Sequence, residues 1–432
     1  MIKLRPFEKM SYNEIREEYL KQLVKSNALE FDEADILNTS SSELDGKSVN
    51  TYDKLVFFPG LRKYLYDGNK KIKRDNLRQI LIGPDEAPRS LGGKGELASM
   101  RSVFEKIITD IEGCSPIISE TAVKVCKKIF KYDRLNIVGK GTFENPAYWL
   151  QRQLDVKICP YCNRIYTTTL YGKKRIRPDF DHFYPQSRYP YFAVSLFNLI
   201  PSCSICNKAK SDNAEIKEKI IKINKKTNKL FTDKQKKSII YPYDESYNEL
   251  QMHISISFRV IPHETQKEVM MGQSDKFTVE LQPTEHSEKL EFENSGMVLT
   301  KTKLDKRFKC NINLKIAGDE RTAVDEELSF WDRIKNTIDL LRLESFYNEH
   351  KAEIMMILRN HYQYNRAGIQ LIMQTLLKDS VVDEHTILTS ARNMLYFASL
   401  EPEEWGNNPL NKLKSDILEQ LDEIENTHID SE

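Results

Sequence analysis

No run of this chain approaches the roughly 18 consecutive apolar residues that a membrane-spanning helix needs, so neither a spanning segment nor a membrane partner is expected. No secretory leader is expected either. Met1-Ile2-Lys3-Leu4-Arg5-Pro6 runs into polar, helix-like sequence with no apolar core behind it, and the expected location is cytoplasmic. An excess of one charge is also lacking. With 65 Lys and Arg against 64 Asp and Glu the net charge is +1, so any affinity for nucleic acid must come from a local patch. There is no internal repeat and no long low-complexity tract. Nor is there a phosphate-binding loop. Gly93-Lys94 and Gly139-Lys140 invite that reading, but the motif needs Ser or Thr after the lysine and a glycine five residues before the pair. Gly95 and Gly141 follow instead, and both stretches read as plain loops. Cysteine is scarce, at seven in 432 residues, which fits a reducing compartment.

Hydrophobic residues make up 40% and charged residues 30%, an ordinary globular composition with ample material for a core. The length predicts two or three parts, since domains of roughly 100–200 residues are typical. The fold class expected is α+β. Residues 1–150 read as a helical region broken at Asn38–Ser42 and at Gly83–Gly95. Residues 151–240 hold the paired cysteines and a lysine-rich extension from Lys217 to Lys237, which reads as a solvated face or a phosphate-touching stretch. Residues 241–320 are β-rich: Ile254, Ile256, Phe258 and Val260 alternate with polar positions, as do Phe277, Val279 and Leu281, then Leu290 and Phe292. In residues 321–432 the period lengthens. Leu328, Trp331, Ile334, Ile338 and Leu341 mark one helix face, and further helices are expected over Lys351–Arg359, Ala367–Leu377 and Pro409–Ile424, the last starting at its proline.

Three cysteines (Cys114, Cys126 and Cys310) are scattered and read as small buried apolar residues. The other four form Cys159-Pro160-Tyr161-Cys162 and Cys203-Ser204-Ile205-Cys206. Two intervening residues let both sulfurs of a pair converge on one ion in a tight turn. Two such knuckles complete a thiolate tetrahedron around zinc, and with all four positions taken by cysteine the Zn²⁺ is expected to be structural.

The chemistry should then lie in the insert between the knuckles. It contains Asp179-Phe180-Asp181-His182, then Asn198, and the second knuckle is followed by Asn207 and Lys210. Phosphodiester hydrolysis needs a base to take a proton from water and a metal to offset phosphate charge. A neutral imidazole suits the first task near neutral pH, and a carboxylate suits Mg²⁺ or Mn²⁺. Adjacent residues on an extended segment point opposite ways, so Asp181 and His182 can flank one phosphate only if the backbone bends or the metal sits at the edge.

The pattern Asp181-His182, Asn198, Cys203-x2-Cys206-Asn207-x2-Lys210, with the first knuckle ahead of it, resembles the HNH nucleases over residues 155–213, about one-seventh of the chain. The resemblance implies a central ββα-metal domain, a short hairpin and helix around one catalytic metal, braced by the four-cysteine zinc. It implies that His182 is the general base, that Asp181 and Asn207 hold the catalytic ion, and that Asn198 fixes the loop and orients His182. Where the family often ends on histidine this chain has Asn207, which favours an oxygen-coordinated ion. Other readings stay open beside these. Asn207 could cap the helix after the knuckle, and Asn198 could be a turn residue. Asp179 could assist the site or be a solvated carboxylate, and Arg188 and Lys210 could bind phosphates or be surface charges. Tyr184, Tyr189, Tyr191 and Phe192 could stack on bases but read better as packing of a small metal domain. His253, His350 and His361 have no convincing partner in the sequence.

The function implied is DNA hydrolysis. The stretch Asn408-Pro409-Leu410-Asn411-Lys412-Leu413, with Asp416-Ile417 beyond it, is also similar to the HNH subunits of prokaryotic anti-phage systems of the Septu type, which implies a partner ATPase. The competing readings are a zinc-dependent nucleic-acid-binding module and a zinc-braced scaffold, neither of which has a use for Asp181-His182 and Asn207 together.

Overall fold

The structure, a computed structural model, describes residues 4, 9–37, 47–94, 96–112, 119–138, 144–171, 176–211, 239–244, 254–260, 268–269, 271–283, 291–292, 297–302, 311–315, 336–364, 395–396, 407–418 and 421. Among them the chain is mixed and mostly helical, with small antiparallel sheets, an α+β class. No helix among the described residues is long and apolar enough to cross a membrane.

The first part is helical, as its pattern predicts. Helix α1 (Tyr12–Lys25) opens on a capping box: Glu14 N–H donates to Ser11 Oγ, and Ser11 N–H donates to the Glu14 carboxylate at 2.9 Å. It buries Ile15, Tyr19, Leu20 and Leu23. Helices α2 (Glu33–Leu37), α3 (Lys47–Lys54), α4 (Pro59–Leu65), α5 (Arg74–Ile82), α6 (Met100–Glu112), α7 (Glu120–Ile129) and α8 (Pro146–Leu154) follow. Asn145 caps α8, accepting from Tyr148 N–H at 2.9 Å, with Pro146 in the first turn. The loop at Gly92-Gly93 is a tight turn, with Gly92 at φ 84° and Gly93 N–H donating to Pro88 O at 3.0 Å.

These helices do not close a core of their own. Phe104 of α6 packs against Tyr184 and Phe192 of the cysteine-rich segment, with ring centroids 5.1 and 4.7 Å apart. Tyr19 of α1 donates to Val194 O at 3.0 Å, so the apolar core runs from residues 1–150 straight into the insert. Residues 239–244 back the same region. Tyr241 donates to Phe197 O at 2.5 Å and Tyr243 to Leu199 O at 3.0 Å. Asp244 accepts from Met100 and Arg101 N–H at the start of α6 (2.9 and 2.7 Å), a buried cap whose burial pushes its carboxyl above the usual range.

The predicted alternation is realised in β3 (Ile254–Val260), which pairs antiparallel with β4 (Phe277–Pro283). Phe277, Val279 and Leu281 of β4 are buried. Strands β5 (Glu291–Phe292), β6 (Met297–Thr302) and β7 (Asn311–Lys315) form a second sheet. Helix α10 (Leu343–Asn348) covers β4: Glu344 and Asn348 accept from Leu281 and Val279 N–H at 2.9 and 2.8 Å. Helix α11 (Lys351–Gln363) matches the predicted helix and continues beyond it.

The last helix departs from its expected start. It occupies residues 411–418 (α12), and Pro409 lies in the turn before it. Leu410 is left-handed at φ 62°, and its N–H is drawn to Asn163 O at 2.5 Å, so the helix cannot begin until Leu410 has been turned. The expected helix over Ala367–Leu377, the apolar positions Leu328–Ile334, the Lys217–Lys237 run, His253, Leu290 and Gly139-Lys140 lie outside the described residues.

Candidate functional site

The site is built in order along the chain: first knuckle, strand β1 (Asp179–His182), strand β2 (Leu199–Ser202), second knuckle, helix α9 (Ser204–Ser211). In the first knuckle Ile158 bridges Tyr166. Cys159 N–H donates to Ile165 O at 2.9 Å and Asn163 N–H to Cys159 O at 2.8 Å. Asn163 is left-handed at φ 48°, a conformation asparagine tolerates better than most residues. In the second, Cys203 stands at the mouth of α9. Its sulfur accepts from Cys206 N–H at 3.4 Å, and its carbonyl from Asn207 N–H at 3.0 Å.

The four sulfurs lie within 4.8 Å of one another and all four cysteines are buried. A tetrahedral zinc with Zn–S bonds of about 2.3 Å would set the sulfurs roughly 3.8 Å apart, a spacing compatible with a set gathered within 4.8 Å. Burial pushes the Cys159 thiol up. Four thiolates this close, out of water, need a cation between them. The cluster can therefore hold a metal ion such as zinc.

The C-terminal elements clip onto this cluster. Tyr347 of α10 donates to Cys162 O at 3.3 Å, and Lys412 N–H of α12 donates to Asn163 Oδ1 at 2.9 Å. No sequence reading singled out Asn163 or Tyr347. The asparagine directly after the first knuckle signals a left-handed turn, but nothing local could name a partner 249 positions away.

Strands β1 and β2 pair antiparallel, with Asp181 opposite Ile200 and His182 opposite Leu199. Pleating divides β1 into two faces, Asp179 with Asp181 and Phe180 with His182. Helix α9 lies along the aspartate face. Asn207 Nδ2 reaches Asp179 Oδ2 at 3.4 Å, and Lys210 Nζ pairs with Asp181 Oδ2 at 2.7 Å. Tyr161, from inside the first knuckle, donates to that same carboxylate oxygen at 2.6 Å. The lysine ammonium also donates to the carbonyls of His182 and Phe183 at 2.6 and 3.0 Å. Asp181 is 4% exposed. Burial lowers the Lys210 pKa and Asp181 partly opposes the shift. Lys210 is thus an internal ion-pair partner, not a surface charge. Asn207 sits within α9, one turn past the cap position.

On the other face, Nε2 of the half-buried His182 lies 2.9 Å from Ala193 O. A carbonyl can only accept, so this contact assigns the proton of the neutral ring to Nε2 and leaves Nδ1 with the lone pair. Among the described residues Nδ1 has no hydrogen-bond partner. The Tyr132 ring meets the imidazole edge-on, centroids 4.6 Å apart. Burial holds the His182 pKa below its ordinary value, and the Ala193 carbonyl opposes this in part.

Asn198 is fully buried and governs the loop that carries Ala193. It accepts from Tyr184 N–H at 2.7 Å and donates to Tyr184 O and Phe192 O at 3.1 and 2.9 Å. The loop's aromatics Tyr184, Tyr189, Tyr191 and Phe192 are buried and pack, the reading preferred over base stacking. Arg188 is drawn inward as well: its guanidinium pairs at 2.9 Å with the buried Glu112 of α6, which also accepts from Tyr191 at 3.0 Å. Tyr161, Tyr132 and Ala193 complete the site without having been singled out in the sequence, and only the position of Tyr161 within the first knuckle hinted at a role. Comparison with protein-family models, with curated proteins and with solved structures gives no match to this chain.

Proposed function

We propose that this chain is a metal-dependent endonuclease of the HNH type that hydrolyses DNA phosphodiester bonds. The setting of His182 carries the reading: a neutral imidazole whose Nε2 is held by Ala193 O and whose Nδ1 is left open. Nδ1 takes the proton from the attacking water. Asn198 acts at one remove, fixing the Tyr184–Phe192 loop so that the Ala193 carbonyl aims the ring. Asp181 and Asn207 would hold Mg²⁺ or Mn²⁺, with Asp179 beside them. Their fit rests on the donor set: these side chains bring hard oxygen atoms to one side of β1, and among the described residues Asp181 Oδ1 accepts no hydrogen bond. Such an ion, when bound, offsets the charge that gathers on phosphate and leaving oxygen. His182 is the last residue of β1, so a phosphate laid across the strand end can meet both faces. The four cysteines, with zinc, hold the two ends of the insert together. Work beside a partner ATPase in anti-phage defence belongs to the same proposal and rests on the C-terminal resemblance.

One observation favours a second reading, a non-catalytic zinc-braced binding module: Asp181 Oδ2 is already engaged by Lys210 and Tyr161. Supercoiled plasmid incubated with Mg²⁺ or Mn²⁺ separates the two. Nicking by wild type and none by His182→Ala supports the nuclease. Equal DNA binding by both, with no cutting under either metal or with the partner ATPase added, supports the module.

A further inference from the structure

Across α6 from the insert lies a polar pocket that the β1 site does not use. Its volume is about 310 Å³, and its walls come from α4, the approach to α5, α5 itself and α6. Phe104 marks the face of α6 that meets the insert. Lys106 and Asp110 follow it by two and six positions, about 200° and 240° around the helix, and so line the opposite face. Gly60 sets how closely the walls approach. A Cβ there would stand 1.9 Å from Ile111 O, so glycine lets α4 lie this near the end of α6. Three and four positions on, the same helix brings Lys63 and Tyr64 to the pocket.

Three ammonium groups from three elements meet here: Lys63 of α4, Lys73 ahead of α5 and Lys106 of α6. All three are exposed, and Asp110 is the one carboxylate beside them. Lys73 Nζ donates to Lys63 O at 3.0 Å, which fixes it at the rim and leaves two of its three N–H groups. Among the described residues none of the three is in an ion pair, not even Lys106 with Asp110 one turn on. Like charges gathered this way repel, and an anion between them removes the repulsion.

The more buried wall is neutral. Tyr64 is 8% exposed, and its hydroxyl reaches Gln79 Oε1 only at 3.5 Å. A good O–H···O bond is about 2.7–2.8 Å long, so a nearer acceptor would claim this proton. Burial, and then the Asp110 carboxylate, raise the Tyr64 pKa and keep it a donor. Asn76 Nδ2 donates to Tyr64 O at 2.6 Å, which fixes its amide against the same wall.

A phosphate ester suits this set. Its charge matches the surplus of lysine over aspartate, and lysine is a regular phosphate partner. Ligand pockets begin at about 300 Å³, more than a bare phosphate fills, so the esterified group takes the remaining space and Asp110 accepts from its hydroxyls. We infer that the pocket between α4, α5 and α6 binds a small sugar phosphate, free or as part of a mononucleotide, with Lys63, Lys73 and Lys106 on the phosphate. The inference is independent of the nuclease reading.

The test titrates the full chain by calorimetry with ribose phosphate, adenosine monophosphate, ribose, inorganic phosphate and a single-stranded oligonucleotide. At least one of the two esters is expected to bind, more weakly as salt rises, and ribose is not. Equal affinity for both esters assigns recognition to the sugar phosphate; binding of the nucleotide alone adds its base. Lys63→Ala with Lys106→Ala should weaken ester binding on the order of tenfold or more. The thermal midpoint of the ligand-free chain should not change, since both side chains are exposed. Tyr64→Phe keeps the ring and loses the hydroxyl, and should weaken binding several-fold. If the double variant does not fold, Lys106→Gln alone serves. No ester binding overturns the inference, as does ester binding that the lysine variants leave unchanged. Inorganic phosphate bound as tightly as either ester would make the pocket a general anion patch. Oligonucleotide binding that needs these lysines, with neither ester bound, would make it a nucleic-acid contact. Either result overturns the sugar-phosphate assignment.

Discussion

The sulfur cluster and the two-faced strand β1 are made from the same stretch of chain yet are finished differently. Cys206 and Asn207 are neighbours on α9, one facing the sulfurs and the other facing Asp179. The sulfur cluster is closed: four buried donors of one kind, within 4.8 Å of one another, clipped from outside by Tyr347 and Lys412. The β1 site is open and mixed, with an ion pair on one face, a half-buried imidazole on the other and Nδ1 left free. A closed set fixes geometry and can do little else. An open one keeps unused donors at the end of a strand, and that is where chemistry is possible.

The comparison breaks most completely if the cluster does not bind metal. Purified protein is expected to carry one zinc per chain by elemental analysis. Cys159→Ser or Cys206→Ser should release it and unfold the insert, a loss of several kcal/mol given how much folding free energy structural zinc supplies. Because the core of the first helices continues into the insert, near-ultraviolet dichroism should fall for the whole chain and not for a small part of it. Full retention of both dichroism and thermal midpoint in Cys159→Ser would make the cysteines an ordinary buried cluster.

The open site should respond in activity, not in folding. His182→Ala is expected to lower the cutting rate by roughly 10²–10⁴-fold, the usual contribution of a positioned acid or base, with little change in thermal midpoint. Lys210→Met tests the opposite face and should act through stability. It leaves Asp181 buried and unpaired at a cost of about 3–5 kcal/mol. Lys210→Met combined with Asp181→Asn should recover much of that loss without recovering activity. A Lys210→Met protein as stable as wild type would mean that Asp181 finds another cation.

Legibility followed the range of the interaction. The knuckles declared themselves because two residues between cysteines is a local geometric requirement. Strand β3 did so because Ile254, Ile256, Phe258 and Val260 alternate at the period of a pleat. Asn198 could be read as a loop-fixing residue by resemblance, and its three hydrogen bonds lie within the insert itself. Lys210 and Arg188 were read as candidate phosphate binders, yet folding brings each against a buried carboxylate, Asp181 29 positions away and Glu112 76 positions away. A lone positive charge in sequence carries no mark of such a partner. Pro409 is the same lesson in backbone terms. Its suitability for a helix start is real, but the hold of Asn163 on Leu410 moves the start two residues on.

Asn198→Ala should cost about 2–4 kcal/mol, since it strands buried groups of Tyr184 and Phe192. A finer variant is Asn198→Asp, which keeps an acceptor for Tyr184 N–H and loses both donors. If Asn198 acts through the loop on the Ala193 carbonyl, activity should fall more than stability does, and the pH profile should change shape. A parallel fall of both, with an unchanged profile, would reduce Asn198 to a turn residue.

The smallest expected effect bears most directly on why the imidazole faces an aromatic ring. His182 must be neutral to accept a proton, and burial holds its pKa below the ordinary value of 6.5. If His182 is the base, the acid limb of kcat/KM should therefore lie below the ordinary imidazole midpoint. Tyr132 packs edge-on against the ring, centroids 4.6 Å apart. Tyr132→Ser should admit water, relieve the penalty on the charged ring and move the acid limb up toward the ordinary range, while activity well above that range stays near wild type. The aspartate face opposes itself here: the Asp181 carboxylate favours the charged ring and the Lys210 ammonium disfavours it. Lys210→Met should then move the limb in the same direction as Tyr132→Ser. A limb that Tyr132→Ser leaves in place would mean that burial does not set the His182 pKa, and that the charges across the strand do.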